Sequence, residues 1–89
     1  MIDLGQLEVL DAERVLVELL GERLILRDGE AGAIRSLRIR REAGILSFSC
    51  RRCTSEPPHR VILRRGGIDT GDGEALGWWV HQHSHEAPS

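Results

Sequence analysis

Ile34-Arg35-Ser36-Leu37-Arg38-Ile39-Arg40-Arg41-Glu42-Ala43-Gly44-Ile45-Leu46-Ser47-Phe48-Ser49-Cys50 alternates apolar and polar residues on both sides of a Gly-containing break. Alternation of period two marks a half-buried strand, and two such runs around a short break mark a hairpin. The expected strands are Ile34 to Arg40 and Ile45 to Cys50, joined by the turn Arg41-Glu42-Ala43-Gly44. If Arg40 faces Ile45, then Ile39 lies opposite Leu46 and Leu37 opposite Phe48 on one face, leaving Arg38, Arg40, Ser47 and Ser49 on the other.

Working outward, Pro57-Pro58 breaks the chain before a third alternating run, Arg60 to Arg65, in which Arg60, Ile62 and Arg64 share a face. Leu76 to about His83 reads as a further strand that pairs antiparallel with it, the other reading being a helical tail that brings His81 and His85 together as H-x3-H. The Gly- and Asp-rich segment Gly66 to Gly77 lacks the spacing of a P-loop or an EF-hand and reads as a connection. On the N-terminal side, Glu22 to Arg27 is a strand candidate followed by the turn signal Asp28-Gly29. Further upstream, Ala12, Val15, Leu16, Leu19 and Leu20 follow helical spacing, with Asp11 placed to cap and Gly21 to terminate. Val15, Val17 and Leu19 also alternate as a strand would, but the helix is the preferred reading. The expectation is an α+β fold: an N-terminal helix on a small, mostly antiparallel sheet of about four strands, residues 1–85 forming one domain and 86–89 a polar tail.

At 89 residues the chain has room for one core, and a core of this size is marginal without a staple. The two cysteines, Cys50 and Cys53, are too close in sequence for a disulfide to restrict the unfolded chain much. As a C-x2-C pair between two strands they instead suit zinc, which favours four thiolate and imidazole ligands in a tetrahedron. All four histidines follow them. The expected structural zinc site is Cys50, Cys53, His59 and His83, with His81 and His85 as substitutes. Cys50-x2-Cys53 followed by a strand resembles half of a zinc ribbon, in which histidines would have to replace the missing second C-x2-C.

Catalysis is not expected. Thr54-Ser55-Glu56-Pro57-Pro58 cannot supply the helix that activates a thioredoxin-like cysteine, and Glu56 is the lone acid near the knuckle for a metal-dependent hydrolase. The net charge of −2 hides an uneven layout: residues 1–37 carry −4, 38–65 carry +6 and 66–89 carry −4. All twelve basic residues are Arg, which points to a high-GC genome, a bacterium or its phage. Arg38, Arg40, Arg51, Arg52, Arg60 and Arg64 form the candidate surface for an anionic partner. The first expectation is a zinc-stabilised protein-interaction module, accessory or assembling and homo-oligomeric in one version, with Trp78 and Trp79 at its interface. The alternative is an RNA- or DNA-binding module using the Arg face, and a metal-dependent hydrolase stands third. With no basic leader, no apolar run of spanning length and no need of disulfides, the expected setting is cytoplasmic, away from membranes.

Overall fold

The computed structural model describes residues 5–65 and 67–84. Among the described residues seven strands precede one helix: β1 (Gln6–Val9), β2 (Arg14–Leu19), β3 (Glu22–Arg27), β4 (Ala31–Ile34), β5 (Leu37–Glu42), β6 (Ile45–Cys50), β7 (His59–Ile62) and α1 (Thr70–Gln82). They form two antiparallel sheets in chain order, β1-β2-β3 and β4-β5-β6-β7. The architecture is therefore mostly sheet with a single C-terminal helix, and the expected N-terminal helix on one four-stranded sheet is overturned.

The segment read as a helix is β2. Val15, Val17 and Leu19 are fully buried on one face, so the two-residue alternation decided the outcome over the 3.6-residue spacing. β-branched Val15 and Val17 favour that choice. Asp11 makes a turn instead of a helix cap, its carboxylate accepting from the Glu13 amide at 2.8 Å and from Arg14 Nε at 2.6 Å. Gly21 ends no helix; Leu20 (φ 55°) and Gly21 (φ 78°) form the tight β2–β3 hairpin connection.

The β5–β6 hairpin exists with its register two residues from the expected one. Glu42 pairs with Ile45, Ile39 with Phe48 and Leu37 with Cys50. Ala43 (φ 50°) and Gly44 (φ 79°) provide the two left-handed residues of a two-residue turn. A shift of two preserves the faces, so Leu37, Ile39, Leu46 and Phe48 remain together in the core. It also extends the inward face to Arg41, which was read as a turn residue and is instead 5% exposed.

The segment expected as a strand from Leu76 is helical as far as Gln82, with His83 as its C-cap, and α1 starts at Thr70 inside the expected loop. Its glycines oppose a helix by about 1 kcal/mol each relative to Ala. Burial of Leu76 and Val80, one turn apart, offsets this by docking the helix on the sheets. The core joins Val15, Val17, Leu19 and Leu26 from one sheet to Ile34, Leu37, Ile39, Leu46, Phe48 and Val61 from the other, sealed by Leu76 and Val80. Gly32 on β4 allows the sheets to approach, since a Cβ there would lie 2.5 Å from Leu24 Cδ2 on β3.

Candidate metal centre

β6 delivers Cys50 to the inner face, where it is 5% exposed. The chain then turns through Arg51 and Arg52, with the Arg51 amide bonded to the Ser36 carbonyl at 2.9 Å. A second turn, closed by the Glu56 amide on the Cys53 carbonyl at 3.1 Å, sets Cys53 and Glu56 close together. His83 arrives from the C-terminal end of α1, where its amide bonds the Trp79 carbonyl at 3.0 Å. Donor atoms of Cys53, Glu56 and His83 all lie within 4.8 Å of one another, a group that can hold a metal ion.

His83 is 7% exposed and both ring nitrogens are engaged. Nδ1 lies 2.8 Å from the Trp79 carbonyl. A carbonyl only accepts, so Nδ1 carries a proton and donates it. Nε2 faces Glu56 Oε2 at 2.6 Å. Backbone acceptance at one nitrogen is the usual way a ligating histidine is fixed in the tautomer that presents the other to a metal. Burial works against the charged ring, but the Trp79 carbonyl and Glu56 carboxylate outweigh it and hold His83 above its ordinary pKa.

The two thiols form no disulfide and are hydrogen-bonded to each other. The hydrogen bond with Cys50 raises the Cys53 pKa, followed by burial and the negative charges of Cys50 and Glu56. Groups that resist ionising together when alone are those a divalent cation draws into the ionised state. An open cleft of 620 Å³, lined by Arg38, Ser49, Cys50, Cys53, Thr54 and Glu56 among others, gives solvent access.

Two of the four expected ligands, Cys53 and His83, fall in this group; Cys50 lies against Cys53 but outside it, and His59 does not join it. It opens β7 opposite Phe48 and stacks on Trp79, with ring centroids 5.7 Å apart. His83 stacks on the same indole at 4.4 Å. Burial lowers the His59 pKa, His83 adds to the shift, and Asp72 opposes it. His81 is exposed on α1, edge-on to Trp78 at 6.3 Å. His85 and the expected tail 86–89 lie outside the described residues. Glu56 is the member of this possible metal-binding group that the sequence reading did not name as a ligand. The signal was its position three residues after Cys53, the spacing of one tight turn.

Arg38, Arg40 and Arg60 are exposed on the solvent side of β5 and β7, around Ser47 and Ser49. Arg51 and Arg52 are exposed in the knuckle. Arg64 is exposed too but pairs with Asp69 at 3.3 Å. Trp78 is 67% exposed, whereas Trp79 is half-buried. No helix among the described residues is long and apolar enough to cross a membrane. No protein-family model, curated protein or solved structure matches the chain.

Proposed function

We propose that the chain is a small metal-stabilised interaction module in which zinc is held by Cys50, Cys53, Glu56 and His83. The observation that carries this reading is His83, buried, fixed through Nδ1 by the Trp79 carbonyl, and turned through Nε2 toward Glu56 and Cys53. Two sulfurs, one imidazole and one carboxylate are a donor set that zinc accepts as a tetrahedron. Zinc would tie the β6–β7 connection to the end of α1, joining segments about 30 residues apart, and closing such a loop stabilises a small domain. A reducing, cytoplasmic setting belongs to the reading because the ligands are thiolates. The partner is a protein with an acidic surface, a second copy being one form of it, engaged by Arg38, Arg40 and Arg60 on the outer sheet face.

The test is elemental analysis of protein purified without chelator, with one zinc per chain expected. Cys53→Ser and His83→Ala should each remove it. A metal-free protein whose melting ignores both added zinc and chelator overturns the reading.

A second reading, phosphate tracking on RNA or DNA, is favoured by one observation: Arg38, Arg51, Arg52 and Arg60 make no ion pair among the described residues. It requires salt-dependent binding to an oligonucleotide that disappears when Arg38, Arg40 and Arg60 are replaced together. No binding at low salt removes it.

A further inference from the structure

Arg41 is the one charged residue besides His83 in the buried class among the described residues. The β5–β6 register turns it inward, opposite Leu46. Its Nη2 donates to the Ala12 carbonyl at 2.9 Å. Its Nε and Nη1 are buried with no hydrogen-bond partner. A guanidinium keeps its charge in proteins, and an unsatisfied buried donor costs about 1–3 kcal/mol, more where it is charged. No carboxylate among the described residues offsets that charge.

The residue sits in the wall of a cleft of 440 Å³ formed by Val9, Asp11 and Ala12, by Gly44, and by Leu63 to Arg65. Asp11 is committed elsewhere, to the Glu13 amide and to Arg14. Arg64 is paired with Asp69. Arg65 makes no ion pair among the described residues. The cleft thus combines a buried cation with orphaned donors, a second unpaired cation at its mouth and an acid already neutralised.

We propose that this cleft binds a phosphate-class oxyanion, with Arg41 as the buried anchor and Arg65 as the outer contact. Each edge of a guanidinium pairs Nη2 with either Nε or Nη1, so an oxyanion would take one orphaned donor together with the second Nη2 hydrogen, and burial strengthens the contact by excluding water. Both orphaned atoms are shielded, so seating requires a cleft wall to shift. This site is independent of the zinc corner.

The experiment titrates inorganic phosphate into the full chain as purified, with sulfate as a second oxyanion and chloride at matched ionic strength as control. Melting temperature and the Arg side-chain Nε–Hε signals are followed. Phosphate should raise the melting temperature saturably beyond chloride and move the Arg41 signal. Arg41→Met should abolish both responses, and Arg65→Ala should weaken binding about tenfold, the effect of one charge-assisted hydrogen bond. Arg41→Lys retains the charge without the planar fork, so it should fold and bind weakly, which covers any failure of the Met variant to fold. Tighter binding of a nucleoside monophosphate than of free phosphate would assign the site to phosphate esters, and equal binding to the ion itself. Equal stabilisation by phosphate and chloride, or an undiminished phosphate response in both Arg41 variants, overturns the proposal.

Discussion

His83 and Arg41 are buried to nearly the same degree, 7% and 5% exposed, yet their surroundings are opposite. His83 has a partner at each ring nitrogen, and its neighbours Cys53 and Glu56 are acidic or thiol groups that welcome a cation. Arg41 has one carbonyl, two orphaned nitrogens and further arginines beside its cleft. Burial alone therefore says little about what a polar side chain does. The sign of the surrounding charge distinguishes a corner suited to a cation from one suited to an anion.

The contrast can be broken most forcefully with metal. Zinc at about a thousandfold over its Kd should add about 4 kcal/mol of stability, read by chemical denaturation with and without chelator. An unchanged midpoint would leave the His83 corner a hydrogen-bonded contact and nothing more. Next comes Arg41→Met, which removes a charge and its orphaned donors while filling similar space; it should stabilise the phosphate-free protein by roughly 1–3 kcal/mol. A loss of stability would show that Arg41 is already compensated.

Ala43→Asn addresses the turn whose register points Arg41 inward. Asn tolerates the left-handed region better than Ala, so a gain of about 0.5–1 kcal/mol is expected from thermal melts. Destabilisation would mean that the turn does not hold this conformation.

The smallest effect is in the pH response of the metal-free protein. His83, raised above about 6.5, contributes stability that is fully present below that value and is lost as pH rises through its folded pKa. His59, lowered by burial, works in the reverse sense: the unfolded chain takes up a proton first, so stability falls as pH drops below about 6.5 and through the depressed value. Ring NMR titration should place His83 above His59, and Glu56→Gln should lower His83 while hardly moving His59. Coincident titrations would erase the electrostatic half of the comparison.

What was legible in the sequence was local. Alternation in Leu37, Ile39, Leu46 and Phe48 gave the correct faces even with the wrong register, because a shift of two residues preserves them. Cys53 was singled out by its spacing from Cys50, whereas Glu56, three residues further on, becomes a ligand candidate only once His83 is brought beside it. At β2, Val15, Leu16, Val17 and Leu19 satisfy both periods, and only pairing with β1 and β3 decides between them. At the C-terminus the decisive spacing was present: Leu76, Trp79, Val80 and His83 fall at i, i+3, i+4 and i+7. The glycines before it obscured it, since they weaken local helix propensity and leave the decision to tertiary docking.

Because each sheet runs in chain order, every strand pairs with its immediate predecessor or successor. A strand searching for its partner therefore explores a short stretch of chain, and the closure entropy at each step is small. Sheet proteins usually fold slowly because their pairings span long sequence separations, and this chain largely avoids that. The exception is the meeting of α1 with the knuckle, which must wait until both ends of the second half are in place. Stopped-flow refolding in zinc-free buffer should then show tryptophan fluorescence, reported by Trp79 against Phe48 and the two histidines, lagging behind formation of sheet.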